Sequence, residues 1–173
     1  SSMLVGLQIA DGAGVSFDEF SKHFLDPEEC YRTAFQEIAA PLLDLAHAGP
    51  PSETWVHHAH QVSERLLWHL AENPLHAEAI ITPSCALDDS VKGLGRDLVG
   101  ELAVGLTAHA PEIPDRQATV DGIAGAIWGL IYQLVQQGRP HLLAALSDHL
   151  SYLVLAPFVG PQSAIELIAH VPD

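Results

Sequence analysis

Residues 7–24 read LQIADGAGVSFDEFSKHF, a stretch that contains two short helical segments meeting at Gly14. Ala10 stands four residues before this glycine, and Val15 follows it directly. A helix-turn-helix needs a small residue where its helices cross, a glycine where the backbone turns and an apolar residue beyond the turn. The stretch therefore predicts a helix-turn-helix near the start of the chain.

Helical patterning continues from this motif to the end of the chain. The run from Asp26 to Glu29 marks a helix start, because aspartate caps free backbone N–H groups, proline suits the first helical position and glutamates favour the positive end of the helix dipole. Beyond it, apolar residues recur at three- and four-residue spacing without runs of alternating polarity. We expect an all-α fold, with Ser52 capping the second long helix. The predicted helices cover roughly residues 26–48, 52–72, 75–81, 88–109, 115–137, 140–156 and 162–170.

The motif and the helices after it resemble the TetR family of bacterial transcriptional regulators. The family typically has Ile-Ala, then Ala-Gly-Val-Ser, then a His-Phe ending, and these match Ile9-Ala10, residues 13–16 and His23-Phe24. The segment from Gly138 to Gly160 is similar to the final helix of actinobacterial members. The resemblance covers nearly the whole chain.

This resemblance implies a TetR-like helical bundle with two parts. Residues 1–25 would form a partial helix-turn-helix, and residues 26–173 a ligand-binding and dimerisation domain. The implied function is that of a cytoplasmic homodimeric repressor, in which a small apolar or amphipathic effector changes the spacing of the DNA-binding units. The resemblance implies no cofactor.

The chain departs from the family pattern in the segment that would read DNA. Six residues precede Leu7, where the family places a complete first helix, and Ser21 replaces a tyrosine that touches phosphate in the family. Residues 1–47 hold two basic and eight acidic residues, a net charge of −6 that opposes phosphate. The candidate DNA contacts are Ser16, Phe17, Ser21, Lys22 and His23.

Weak or absent binding to operator DNA is therefore expected for this chain. Either a trimmed segment carries the first helix, or the chain is a degenerate copy of the fold that binds a ligand or partner without reading DNA. The sequence leaves both alternatives open.

Composition is consistent with an acidic cytosolic domain. The 173 residues include 22 acidic and seven basic side chains, a net charge of −15 that repels polyanions. Two cysteines form no disulfide framework. The longest uncharged stretch, Gly122 to Gly138, has 17 residues and is interpreted as too short and too polar to span a membrane. With 48 % hydrophobic and 17 % charged residues, some apolar surface is expected to be covered in an oligomer or to line a cavity.

The middle helices carry the candidate effector site. The helix over residues 52–72 has an apolar face flanked by histidines, and small-molecule pockets are mostly apolar with a few polar groups. For each aromatic residue, a place in the ordinary core is at least an equal alternative. The candidate ligand-binding residues are Trp55, His58, Val62, Leu66, His69, Trp128 and Tyr132.

The long helix after Pro114 is apolar almost all round, which is typical of a buried helix. Gly125 and Gly129 lie one turn apart and allow another backbone to approach closely. The family plan implies a four-helix dimer interface here, whereas the alternative is packing against a helix of the same subunit. The candidate interface residues are Gly122, Gly125, Ala126, Gly129, Gln133, Leu146, Leu150 and Leu153.

Metal-ligating residue types lie on the opposite face of the helix over residues 52–72, at Glu53, His57, His60 and Glu64. These four span more than three turns, so a solvated acidic face is the preferred interpretation and no metal site is predicted. No Glu-x-x-His pair, Gly-x-Ser-x-Gly or Cys-x-x-Cys is present. We therefore predict a protein that is not an enzyme and has no catalytic residues.

Overall fold

The computed structural model describes residues 2–48, 54–81, 91 and 93–170, and all regular secondary structure in this part of the chain is helical. The all-α prediction is confirmed. A 3₁₀ segment, Pro140–Leu146, lies between the seventh and eighth α-helices. The α-helices are α1 (Ser2–Gly12), α2 (Phe17–His23), α3 (Pro27–His47), α4 (Trp55–Glu72), α5 (Pro74–Ile81), α6 (Leu94–Thr107), α7 (Arg116–Gln136), α8 (Ser147–Val159) and α9 (Pro161–Ala169).

The start of α3 has the predicted capping geometry. An Asp26 carboxylate oxygen accepts a hydrogen bond from the Glu29 backbone N–H at 2.8 Å, and the Glu29 carboxylate accepts one from the Leu25 N–H at 2.6 Å. Ser52 lies outside the described residues, and α4 is capped by Thr54, whose hydroxyl accepts from the His57 N–H at 3.4 Å. Reciprocal bonds of this kind satisfy N–H groups that have no partner within the helix.

The predicted single helix over residues 140–156 is corrected to a 3₁₀ segment followed by α8, which continues to Val159. In a 3₁₀ helix, side chains three residues apart lie in one row. Pro140 and Leu143 are buried at this spacing, and Leu146 is half-buried. The tighter winding thus places this row against α4, the helix on which the segment packs.

Helix α4 is the centre of the molecule. It packs against α8, the 3₁₀ segment, α5, α3 and α6, and Leu66, Leu67 and Leu70 have no accessible surface. The Trp55 indole N–H donates to the Leu106 carbonyl at 2.8 Å, which ties the start of α4 to α6. Helices α1 and α2 pack on each other, and α1 packs on α3.

Two glycines let helices touch through their backbones. A Cβ atom at Gly95 would lie 1.8 Å from the Ile80 carbonyl oxygen, and one at Gly105 would lie 2.9 Å from the Ala46 carbonyl oxygen. No side chain fits at the first distance. These contacts hold α6 directly against α5 and α3.

Within the described part of the single chain, helix α7 is buried along one side only. Its inner stripe is Val120, Ile123, Ile127 and Ile131, whereas the opposite side is exposed. By length and composition, Arg116–Gln136 and Pro140–Val159 are apolar enough to cross a membrane, a property shared by core helices of soluble proteins. Only 22 % and 33 % of the two most apolar windows are buried. Both helices therefore present apolar surface that nothing in the described part of the chain covers.

Candidate functional site

The predicted turn at Gly14 joins α1 to α2. Gly14 has a φ of 70°, and its N–H donates to the Asp11 backbone carbonyl at 3.0 Å. The Val15 N–H donates to the Ala10 backbone carbonyl at 3.0 Å. This pair of bonds is the Schellman arrangement, which ends a helix at a residue in the left-handed conformation, usually glycine. Ser16 then caps α2 by accepting from the Glu19 N–H at 3.1 Å. The local sequence thus builds a helix, a tight turn and a second helix within 22 residues, 2–23.

Phe17 is half-buried in an aromatic cluster and does not project freely into solvent. Its ring stacks on Phe20 at 6.1 Å between centroids, and Phe20 contacts Phe24 at 5.4 Å. A Cβ atom at Gly6 would lie 3.0 Å from the Phe17 ring, so the ring also lies against α1. Phe17 joins α1 to α2, and its role as a DNA contact stays a prediction.

One carboxylate faces both basic side chains of α2. The Lys22 ammonium lies 2.7 Å from a Glu19 oxygen, and His23 Nε2 lies 3.6 Å from the other oxygen. Ser21 is exposed, and Ser16 already uses its hydroxyl as a cap. Of the predicted DNA contacts, Lys22 therefore forms an ion pair with Glu19, and His23 does so only when it is protonated.

The apolar candidates for effector binding lie in the packed core. Leu66 has no accessible surface, Val62 is 2 % exposed, and Trp55 is 8 % exposed with its N–H bonded to Leu106. A side chain with no accessible surface borders no space large enough for a water molecule. Leu66 therefore lines no cavity among the described residues, and Val62 and Trp55 expose only a small part of their side chains.

The remaining candidates differ in their exposure. His58 is buried on α4, whereas Tyr132 on α7 is 48 % exposed. Trp128 lines a surface groove between α6 and α7. The seven predicted ligand-binding residues thus divide between the core and the surface.

His69 meets His76 where α4 gives way to α5. His69 Nε2 and His76 Nδ1 are 3.1 Å apart, and the ring centroids are 5.2 Å apart. Asn73 fixes this junction, since its side-chain amide donates to the His69 carbonyl at 2.8 Å. Burial lowers the pKa of His69, the neighbouring His76 lowers it further, and Glu72 acts in the opposite direction.

Acid is expected to weaken the fold through this histidine pair. Because the pKa of His69 is lower in the folded chain than in the unfolded one, the unfolded chain binds more protons as the pH falls below about 6.5. The contribution of neutral His69 to the free energy of unfolding is therefore present above that pH and is lost on acidification. Urea unfolding at about pH 8 and about pH 5 measures this effect. The free energy of unfolding should fall less between the two pH values in His69→Gln than in the wild type.

His109→Gln is the control for this comparison, since His109 is an exposed histidine. It should lose as much stability on acidification as the wild type. Equal losses in the wild type and His69→Gln would contradict the assignment to His69.

The glycines predicted at the dimer interface face outward. Gly122, Gly125 and Gly129 are exposed, and a Cβ atom at any of them would meet no heavy atom within 4 Å among the described residues. This excludes the alternative that the stripe admits a helix from the described part of the same chain. Gln133 is also exposed, and Ala126 and Leu153 line a groove of about 300 Å³ between α7 and α8.

The leucines of the predicted interface differ in how deeply they are buried. Leu146 and Leu153 are half-buried, but Leu150 has no accessible surface. A residue that is already enclosed by its own chain cannot contact a second one. Leu150 is therefore a core residue, which corrects the prediction for this position.

The polar face of α4 is solvated in part, because Glu64 is exposed whereas His57 and His60 are half-buried. His60 Nδ1 lies 3.1 Å from the hydroxyl of buried Ser151 on α8, and His57 Nε2 lies 2.7 Å from the Gln61 amide nitrogen. Glu53 lies outside the described residues. Within them, no group of three or more His, Cys, Asp or Glu side chains is placed to hold a metal ion.

Two arginines were not singled out from the sequence. Arg116 donates to the carbonyls of Ala110, Pro111 and Thr107 and thereby closes the turn between α6 and α7. Arg96 lies over the Trp128 ring, 5.4 Å from its centroid. No acidic residue lies three or four positions from Arg96, and this spacing was the available signal for an arginine without a partner on its own helix.

The chain matches no protein-family model, and neither curated proteins nor solved structures gave a match. The residues and their geometry are therefore the whole basis for a functional proposal.

Proposed function

We propose that this protein is a TetR-like, ligand-responsive transcriptional regulator that acts as a homodimer. The observation that carries the proposal is the turn at Gly14, where α1 ends and Ser16 caps α2. A helix-turn-helix presents its second helix to the major groove, and dimers bind two half-sites. In this reading, α2 is the recognition helix and α3 connects it to the helical body.

The proposed dimer is supported by the outer face of α7. Its glycines at 122, 125 and 129 leave the backbone uncovered over two turns, although glycine costs about 1 kcal/mol relative to alanine in a helix interior. Such a cost is offset when a second helix packs closely on the bare backbone. The same face of a second copy would supply that helix through a twofold axis.

Selection of binding sites tests the proposed function. The purified chain would be incubated at low salt with a pool of random duplexes, and retained DNA would be sequenced. Enrichment of one palindromic sequence supports a repressor-type regulator, because symmetric half-sites mirror the symmetry of a dimer. A dimer that enriches no sequence contradicts DNA reading.

The contact of Glu19 with Lys22 and His23 favours a second candidate function. In that case the chain has the same helical bundle, but it is a ligand- or partner-binding module that does not bind DNA. Binding to phosphate requires free cations that displace counterions, and Glu19 competes for both basic groups of α2. A dimer without DNA affinity is the outcome that this candidate predicts.

Replacing Glu19 by glutamine is expected to strengthen DNA binding at low salt by about three- to tenfold. The change frees Lys22 from its 2.7 Å contact and removes a carboxylate that would face phosphate. Fluorescence anisotropy with a random-sequence duplex measures the effect. The slope of the logarithm of the binding constant against the logarithm of the salt concentration should steepen by about one, as expected for one added phosphate contact.

Glu37→Gln provides the matched control, because it makes the same charge change at an exposed position of α3. An equal gain in both variants would assign the effect to net charge. No gain in Glu19→Gln would contradict a phosphate-binding role for Lys22.

A further inference from the structure

We infer that the groove between α6 and α7 binds a small amphipathic monocarboxylate, with Arg96 holding the carboxylate and Trp128 holding the apolar part. The inference goes beyond the proposed function, since it needs neither DNA binding nor dimerisation. It rests on the lining of the groove, on the lack of a described hydrogen-bond or ion-pair partner for the Arg96 guanidinium, and on the net charge of the chain.

The groove has a volume of about 290 Å³ and is lined by Arg96, Val99, Ala124, Gly125 and Trp128. Small residues open it, because Ala124 and Gly125 lie one helical turn before Trp128 and leave the side of the indole uncovered. Binding sites for small molecules combine apolar walls with a few placed polar groups. Here the guanidinium is the charged group among the described lining residues.

Arg96 has no ion pair or hydrogen bond through its guanidinium to any other described residue. Its neighbours at three and four positions are Gly93, Lys92, Val99 and Gly100, none of which is acidic. The adjacent Asp97 turns toward the start of α6, with a carboxylate oxygen 3.7 Å from where a Gly93 Cβ would be. Among the described residues the donors of Arg96 thus have no hydrogen-bond or ion-pair partner, whereas those of Arg116 are used by three carbonyls.

The position of Arg96 over Trp128 orients these donors. A guanidinium 5.4 Å from the ring centroid is attracted to the aromatic face, which limits the freedom of a long side chain. A planar guanidinium presents paired N–H groups that match the two oxygens of a carboxylate. The apolar tail of the same molecule would then lie along Trp128 and Ala124.

The net charge of −15 restricts the ligand further. A chain of this charge repels anions, and the repulsion rises with the charge of the ligand. One guanidinium balances one negative charge, so a monoanion is favoured over a dianionic phosphate. An apolar tail adds burial that an inorganic anion lacks.

Calorimetric titration with 4-phenylbutyrate and its neutral counterpart 4-phenylbutyramide tests this inference. The two probes share one apolar part and differ at the group that Arg96 would hold. We expect the carboxylate to bind the wild type at least about tenfold more tightly than the amide. In Arg96→Gln this preference should disappear.

Arg65→Gln serves as the matched control, because it removes one positive charge from an exposed position on α4. It should retain the preference for the carboxylate, and Trp128→Leu should weaken both probes. The inference is overturned by equal affinities in the wild type, by a preference that survives in Arg96→Gln, or by no binding of the carboxylate at millimolar concentration. The wild-type comparison of the two probes stands even where a variant folds poorly.

Discussion

Gly95→Ala is expected to lower the free energy of unfolding by about 3 kcal/mol or more, enough to leave much of the chain unfolded. The added methyl carbon would lie 1.8 Å from the Ile80 carbonyl oxygen and 2.8 Å from its carbon. Both obstacles are backbone atoms, so no change of rotamer relieves the overlap. Relief requires α5 and α6 to separate, which opens the core around Leu98 and Val99.

Gly100→Ala is the matched control on the same helix. A Cβ atom at Gly100 would meet no heavy atom within 4 Å among the described residues, so helix propensity alone decides the outcome. We expect a gain of about 0.5–1 kcal/mol. Urea unfolding followed by circular dichroism measures both variants. Similar stabilities for Gly95→Ala and Gly100→Ala would show that α5 and α6 do not touch as described.

The double variant Gly122→Leu with Gly129→Leu is expected to convert the proposed dimer to a monomer. Both positions are exposed and have no heavy atom of another described residue within 4 Å of a Cβ, so we expect leucine to leave the fold of one subunit intact. Against a second copy, the same side chains would hold the two α7 helices apart. The dimer dissociation constant should rise by about a hundredfold or more, since overpacking a close contact costs about 3 kcal/mol.

Sedimentation equilibrium measures this change, and thermal unfolding confirms that the variant is folded. Ala40→Leu adds a leucine to an exposed position of α3 and should leave the dimer unchanged. A wild-type chain that stays monomeric at high concentration would refute the proposed dimer. Recovery of the wild type with lipid vesicles would instead indicate that a membrane surface covers the apolar sides of α7 and α8.

The features that depend on neighbours in sequence were predictable. Asp26 caps α3, Gly14 takes a positive φ, and α3, α5 and α7 begin and end near the expected residues. The contact of Glu19 with Lys22 and His23 also follows from three- and four-residue spacing on a helix. That spacing was present in the sequence but was not used to judge the two basic residues.

The candidate sites required knowledge of which helix lies beside which. Leu150 and Leu153 have the same apolar character, yet Leu150 is enclosed and Leu153 lines an open groove. Trp55 and Trp128 are both tryptophans on apolar faces, but Trp55 bonds to the Leu106 carbonyl and Trp128 borders a groove beneath Arg96. Residue type alone does not separate these pairs.

By itself the sequence determined the all-α class, the turn at Gly14 and the capped start of α3, because caps, turns and apolar periodicity act within a few residues. Only the tertiary structure decided that Gly95 is a point of backbone contact while Gly122 and Gly129 are open, and that Arg96 reaches Trp128 across 32 positions of sequence. The reason is physical. Glycine and arginine carry the same local signal wherever they occur on a helix, and their role is set by the helix that packs against them.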